Sequence, residues 1–415
     1  MMRATLGVWI LSAAICVGRG HHCLGTGQVK DQADQHTAHD HSASSASLVN
    51  SANKEFTYHL YRKLAAHADS QGKNIFFSPI SVSVALAALS VGARGETHRQ
   101  LFRGLGFNSS ILTQANVDQA FHALLKIAKS HEETNEGTAV FVDNSFKPHA
   151  EFLDVLKQSY FADGFNIDFT NTTDSANTIN RYVAEKTRGK IDKLVDSLDP
   201  NTVMYLISYI YFKGKWQTPF EPELTKEDEF IVDENTKVPV QMMNMEEDIE
   251  YYYDQPINTS VLHLPFNSSY SMLLLLPGDM ATLENVISPA HVAKWLKWMK
   301  SRRYDIYVPK FSIKSSYKLN DVLTEMGMTD MFDDHADLSG ISDLQRLAVS
   351  EVVHKATLDV DEAGATATAS TGMSITLLSL RLIPALKFNR PFMVIITERN
   401  TQETLFIGKI INPNE

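Results

Sequence analysis

The chain has 415 residues, 44% of them hydrophobic and 21% charged, which is ample apolar material for a large core and the composition of a globular protein. Its formal net charge of −11 argues against non-specific nucleic-acid binding, which needs a basic surface. No Gly/Ser/Pro-rich linker interrupts the sequence after residue 50, so one large domain, 51–415, is expected.

The chain opens with Arg3, an apolar run Leu6–Val17 and small residues at Cys16-Val17-Gly18, the pattern of a secretory signal over residues 1–18. The apolar run is too short to span a bilayer, and no later uncharged apolar segment reaches about 18 residues. A secreted, extracellular and soluble mature protein is expected. Cys16 and Cys23 are the only cysteines. Removal of the signal would leave Cys23 alone, as a free thiol or in a mixed disulfide. Residues 19–50, rich in His, Ser, Ala, Gln and Asp, read as a disordered tail. His21, His22, His36, His39 and His41 are a weak metal-binding signal, and no metal or cofactor is expected.

From Ser51 the pattern becomes ordered. Phe56, Leu60 and Leu64 recur at helical spacing. Ser78 is placed as an N-cap and Pro79 as the first residue of an apolar, buried helix running to Val91. Thr97-x-x-Gln100 reads as a capping box for the next helix, with Leu101 and Leu105. Further helices are expected near Phe152–Phe161, Ser175–Thr187, Leu283–Met299 and Leu319–Met326. Strands are expected at Thr138–Val142, Thr202–Phe212, Met272–Leu276 and Ile306–Ile313. The second of these is almost continuously apolar and suits a central strand covered on both faces. Strands and helices do not alternate strictly, which excludes a doubly wound fold.

The stretch from Asp361 to Phe392 stands apart. It connects the β-type run Val352–Val360 to the strand-like Phe392–Ile396 through about thirty residues without a helical period, and a connection of that length is usually functional. It nevertheless alternates. Ala365, Ala367, Ala369, Thr371, Met373, Ile375 and Leu377 share one parity, and Thr366, Thr368, Ser370, Gly372, Ser374 and Thr376 the other. That is the period of a strand with one buried face, which a permanently solvated loop has no reason to carry.

This stretch resembles the hinge and reactive loop of a serpin, a protease inhibitor that works by changing fold. Glu362-Ala363-Gly364 is similar to the proximal hinge and Ala365–Thr371 to the short-side-chain run of inhibitory members. Lys387–Phe392, Phe406-Ile407-Gly408-Lys409 and Asn412-Pro413 are similar to the segments after the loop. Asn74–Pro79, Phe212-Lys213-Gly214-Lys215-Trp216, Val308-Pro309-Lys310-Phe311, Ala336–Gly340 and Val353-His354-Lys355-Ala356 follow in serpin order, so the resemblance covers about residues 51–415 and points to the antitrypsin-like members. It implies a mixed α+β fold with three β-sheets, about nine helices and an exposed reactive-centre loop, 362–386. It implies a suicide substrate: a protease cleaves the loop, and the freed hinge side enters the central sheet while the acyl-enzyme is trapped. Burial of Met373, Ile375 and Leu377 would favour that entry by about 1.5–3 kcal/mol each.

The chain carries no G-x-S-x-G, G-x-x-x-x-G-K-[ST], H-E-x-x-H or C-x-x-C motif, and it is not expected to be an enzyme. In the family the residue before the cut bond follows the hinge glycine by fourteen positions; from Gly364 this gives Leu378–Ser379. A Leu there suits the apolar pocket of chymotrypsin-like or elastase-like proteases. The segment from Ser379 to Phe388 is longer than in antitrypsin, so a shifted frame at Arg381–Leu382 stays open. The resemblance also assigns Glu362, Gly364, Ala365, Thr366 and Ala367 to the hinge. It places Lys310 and Trp216 at the top of the central sheet, Lys310 paired with Glu362, and Ser78, Ser81 and His354 beneath the parting strands. Ser208 stands where the family usually has Asn.

Lys294, Lys297, Lys300, Arg302 and Arg303 form a basic run, with the lysines placed by spacing near one helix face, and are candidates for a heparin-like polyanion. N-x-[ST] sequons at Asn108, Asn171, Asn258 and Asn267 are candidate glycosylation sites. The expected partner is an extracellular serine protease, bound covalently to a monomeric inhibitor. The alternative is a serpin that has lost inhibition and carries a small hydrophobic ligand such as a hormone. Carriers tolerate bulky or Pro-interrupted hinges, whereas Ala365–Gly372 is clean.

Overall fold

The computed structural model describes residues 33–130, 133–344, 347–363 and 383–415, with side chains from residue 44 onward. The chain divides into two compact units, Met1–His41 and Ser42–Glu415, and both sheets belong to the second. Cys16, Cys23, His21 and His22 lie outside the described residues. So do Gly364, Ala365, Thr366, Ala367, Leu378, Ser379, Arg381 and Leu382 of the expected loop.

The elements in chain order are α1 (Ala33–Ala66), β1 (Ile75–Phe77), α2 (Pro79–Gly92), α3 (Gly95–Gly104), α4 (Gln114–Ala128), β2 (Thr134–Asp143), α5 (Ala150–Ser159), β3 (Asp163–Ile167) and α6 (Thr172–Lys186). Then come β4 (Met204–Phe212), β5 (Lys226–Ile231), β6 (Lys237–Asp254), β7 (Thr259–Pro265), β8 (Tyr270–Pro277), α7 (Met280–Val286) and α8 (Pro289–Trp298). The last are β9 (Lys300–Pro309), β10 (Phe311–Lys318), α9 (Asn320–Glu325), β11 (Glu351–Val360), β12 (Ala385–Lys387), β13 (Phe392–Glu398) and β14 (Thr404–Ile410). The fold is mixed α+β, as the sequence implied, with nine helices among the described residues. None of those helices is long and apolar enough to cross a membrane.

Order begins upstream of Ser51: α1 reaches back to Ala33, Val49 is fully buried, and the Asn50 amide donates to the Thr401 carbonyl at 3.2 Å. Ser78 caps α2 as expected, its hydroxyl accepting from the Ser81 N–H at 3.3 Å with Pro79 in the first turn. Thirteen of the fourteen α2 residues are buried, which explains why the helix shows no polar face. Thr97 and Gln100 do not form a capping box. The helix starts two residues earlier, at Gly95, and both side chains reach outward to pin the segment after α9. Thr97 Oγ1 accepts from the Asp337 N–H at 2.9 Å, and Gln100 Oε1 accepts from the N–H groups of Thr329 and Asp330. The capping box in this region is Thr113 with Asn116, at the start of α4.

Two expected elements divide at prolines. The helix read over Leu283–Met299 is α7 and α8, because Pro289 has no N–H to continue the first helix and instead opens the second behind Ser288. The strand read over Ile306–Ile313 is β9 and β10, which break after Pro309 and join different sheets.

The strands form two hydrogen-bonded networks. The larger has nine strands in the order β1-β14-β13-β8-β7-β6-β9-β12, with β5 on β6. The three sheets implied by the sequence merge here because β6, 18 residues long, pairs in turn with β5 (Lys237–Met242), with β9 (Met242–Tyr251) and with β7 (Glu250–Asp254). The smaller sheet runs β10-β11-β4-β2-β3. At its centre β11 and β4 are parallel, from Glu351↔Tyr205 to Leu358↔Phe212, while their outer partners β10 and β2 are antiparallel to them. All nine β4 residues are buried, as its unbroken apolar sequence requires. Helix α6 covers one face of this sheet through a separate cluster that includes Phe141, Ile179, Val183, Tyr205, Ile207 and Tyr209.

Candidate functional site

The parallel seam between β4 and β11 is bracketed by two side-chain clusters. In the lower one, the register places His354 of β11 directly beside Ser208 of β4. His354 is fully buried; its Nε2 accepts from the Ser78 N–H at 3.0 Å and its Nδ1 lies 3.1 Å from the Ser208 hydroxyl. A ring that accepts at Nε2 must carry its proton on Nδ1, so the imidazole is neutral and donates across the seam to Ser208. Ser78 Oγ donates in turn to Ser81 Oγ at 2.9 Å. Ser78, Ser81 and His354 are therefore one network, with Ser208 as its fourth member and the end of α2 as its floor.

Burial pushes the His354 imidazole down to about 3. An unfolded His titrates near 6.5, so between about pH 6.5 and pH 3 the unfolded chain holds a proton that the folded chain refuses. Stability should fall as pH drops through that window, by up to about 1.4 kcal/mol per pH unit from this group. His354→Gln preserves one acceptor and one donor without a titrating proton. Urea midpoints at pH 7, 5.5 and 4 should show a shallower loss in the variant than in the parent, and equal slopes would contradict the assignment.

The upper cluster holds Asp361–Ala363, the segment that follows β11. The Trp216 Nε1–H donates to the Asp361 carbonyl at 2.7 Å and its main-chain N–H to the Ala363 carbonyl at 3.0 Å. The Phe220 N–H donates to the Glu362 carbonyl at 3.2 Å. Trp216 itself is buried and stacks on Phe266 with ring centroids 4.5 Å apart, so Asp361–Ala363 rest on a fixed aromatic platform.

Two ion pairs flank it. Lys310 Nζ lies 2.9 Å from Glu362 Oε2, and Thr225 Oγ1 donates to Glu362 Oε1 at 2.9 Å. Burial would raise the Glu362 carboxyl, but the hydrogen bonds from Lys310 and Thr225 hold it below the ordinary range. Lys213, just past the end of β4, pairs with Asp361, just past the end of β11, at 2.6 Å. Against burial, Lys213 and the Ala363 N–H likewise hold the Asp361 carboxyl low. Both carboxylates thus stabilise the folded contacts after β11 above their unfolded titration range and lose that contribution on acidification, the same direction as His354.

The Lys310–Glu362 pair was legible in the sequence; the Lys213–Asp361 bridge and the Thr225 contact were not. Lys213 and Asp361 are 148 positions apart, and only the parallel pairing of their strands makes them neighbours. Because Lys310 is nearly half exposed, its pair with Glu362 should be weak. A double-mutant cycle with Lys310→Ala and Glu362→Gln should return a coupling of about 0.5–1 kcal/mol. A value above about 3 kcal/mol would place the pair in a far drier site than the one described.

The basic run does not lie on one helix face. Helix α8 ends at Trp298, so Lys300, Arg302 and Arg303 belong to β9. Lys294 is paired with the buried Asp254 at 2.5 Å, and Arg303 faces Glu246, Glu247 and Asp248 at 3.2–3.6 Å. Lys297 lies over the Trp298 ring and Arg302 over the Tyr304 ring. Acidic neighbours thus offset two of the five cations.

Among the described residues no group of three or more His, Cys, Asp or Glu converges on a metal-sized site. An apolar cavity between α2, α4 and the β13–β14 turn, lined by Ile80, Val84, Leu124, Leu125 and Leu405, holds about 40 Å³.

Comparison with known proteins places this architecture. The family model described as "Serpin (serine protease inhibitor)" matches residues 51–413. Serpin A3-5 of Bos taurus is 38% identical over 426 residues, covering 100% of both chains. An alpha-1-antitrypsin-like protein of Ictidomys tridecemlineatus is 39% identical over 403 residues, 95% of this chain and 96% of that one. Among solved structures, human thyroxine-binding globulin complexed with thyroxine superposes with a TM-score of 0.83 at 34% identity, covering 89% of this chain and 100% of that one. Human glycosylated kallistatin gives a TM-score of 0.82 at 38% identity, covering 89% and 99%. The chain, from its first core helix to its last strand, belongs to the serpin family, and serpin A3 proteins are among its full-length homologues.

Proposed function

We propose that this chain is a secreted, extracellular inhibitor of serine proteases that acts as a suicide substrate rather than as an enzyme. The observation that carries the reading is the orientation of β4 and β11. They are parallel neighbours, and the chain leaves β11 at Val360 directly into the hinge. A segment that turns back from that end and enters between them would run antiparallel to both. One parallel pairing would become two antiparallel ones, the more favourable kind. The period-2 pattern from Ala365 to Leu377 supplies a strand with one apolar face for that place.

Among the described residues the hinge is held at the mouth of the seam by few contacts: the two Trp216 hydrogen bonds, the Phe220 N–H, the Thr225 hydroxyl and two partly exposed ion pairs. Bonds of about 0.5–1.5 kcal/mol each keep the intact chain closed yet yield once the loop is cut. Leu378–Ser379 remains the proposed reactive bond, with Arg381–Leu382 as the shifted frame. A Leu at the cut favours chymotrypsin-like or elastase-like targets and an Arg favours trypsin-like ones. Incubation with chymotrypsin, elastase and trypsin tests the reading: a complex that survives boiling in detergent is expected with at least the first or second, and clean cleavage by all three without complex would overturn it.

A carrier function is the second reading, favoured by the likeness to thyroxine-binding globulin. The uninterrupted small-residue hinge supports inhibition over carriage. The polyanion proposal is retained on the smaller set Lys297, Lys300 and Arg302.

A further inference from the structure

The four sequons stand in different surroundings. Asn171 caps α6, its Oδ1 accepting from the Asp174 N–H and its Nδ2 donating to Asp174 Oδ2 at 2.6 Å. Asn258 has φ 45°, its Oδ1 accepts from the Tyr253 hydroxyl at 2.7 Å, and its Nδ2 is packed against Gly278. Asn108 Oδ1 accepts from the Ser110 N–H in the turn after α3. Asn267 is exposed, and its side chain makes no hydrogen bond among the described residues. Its amide nitrogen, the atom that a glycan would occupy, is unencumbered.

Asn267 also has a particular address. It sits in the β7–β8 turn, and its main-chain N–H donates to the Lys215 carbonyl at 2.7 Å. The preceding residue, Phe266, bridges to Trp216 and stacks on it. Trp216 holds the Asp361 and Ala363 carbonyls. From the other side the Arg399 N–H donates to the Ser269 carbonyl at 2.8 Å, and the Arg399 guanidinium donates to the Ser268 carbonyl. The root of a sugar on Asn267 would therefore be fixed, next to the corner at which the hinge must enter the seam.

We propose that Asn267 carries an N-linked glycan that shields the mouth of the β4–β11 seam and slows the entry of any strand there. The inference rests on the insertion reading above. A bulky, solvated group on a rigid turn reduces the directions from which a strand reaches the opening, while leaving the hydrogen bonds that hold the hinge in place.

The test uses the full chain secreted from cultured mammalian cells, as wild type and as N267Q, S269A and N108Q. Peptide mapping reads occupancy at Asn267. A synthetic peptide with the sequence of residues 365–377 is then added to intact protein, and its annealing is followed by the rise in thermal midpoint. N267Q and S269A should anneal the peptide at least about threefold faster than wild type, and N108Q at the wild-type rate, because access and not affinity is altered. S269A keeps the asparagine, and native enzymatic deglycosylation of the wild type should reproduce both variants, so a folding defect in one variant cannot imitate the effect. An unoccupied Asn267, equal rates in all four proteins, or equal acceleration by N108Q would overturn the proposal and leave the insertion reading intact. Failure of the peptide to anneal to any of them would overturn both.

Discussion

Ala365→Arg should convert the protein from an inhibitor into a substrate. Cleavage by a matched protease should proceed, while the fraction of encounters that end in a detergent-stable complex falls by at least about tenfold, the consequence of about 1.4 kcal/mol or more added to the insertion barrier. Position 365 opens the apolar parity of the loop strand, so on insertion its side chain turns into the core with Ala367 and Ala369. An arginine there would bring an unpaired guanidinium into an apolar layer, at a cost of several kcal/mol. The intact form should melt within about 1 °C of the parent, so that the defect shows only after cleavage. Complex formation at the parental yield would contradict strand entry itself.

Gly408→Ala should be among the most damaging single substitutions in the domain. Gly408 lies in β14 between β1 and β13, paired with Phe76 on one side and Val394 on the other. A Cβ at this position would stand 2.4 Å from the Ile75 carbonyl oxygen and 2.8 Å from the Phe76 ring. Neither can move cheaply, since the first is backbone in a paired strand and the second is buried and stacked on Phe406. A loss of about 3 kcal/mol or more is expected, comparable to severe overpacking, with low secretion as the cellular sign. A urea midpoint unchanged from the parent would show that β1 and β14 separate more easily than their geometry implies.

Much of this was legible in residues that act locally. Ser78 and Pro79 announce the start of α2, and the unbroken apolar run of β4 announces a central strand. What escaped was what depends on distant partners or on breaks. Pro289 and Pro309 each end an element inside what reads as one continuous period, and α8 stops at Trp298, which leaves Lys300 off the helix face that the lysine spacing suggested. Thr97 and Gln100 have capping-box identities but point at the backbone after α9, because α3 had already begun. The Lys213–Asp361 bridge leaves no local trace, since it exists only where two strands far apart in the chain end side by side. The Ser208–His354 bond is an intermediate case: His354 was placed beneath the strands and Ser208 at the family's Asn position, and the geometry adds the hydrogen bond between them.

The central claim is that residues 365–377 supply a strand that, after cleavage, enters between β4 and β11, which pair directly with each other in the structure. Cutting the loop once and melting both forms tests it most directly. Burial of Met373, Ile375 and Leu377 alone is worth about 5–9 kcal/mol. In a domain of this size each kcal/mol moves the midpoint by about 1–1.5 °C, so the cleaved protein should melt about 5–13 °C above the intact protein. A cleaved form that melts at or below the intact one, with no added strand in its far-ultraviolet spectrum, would contradict the claim.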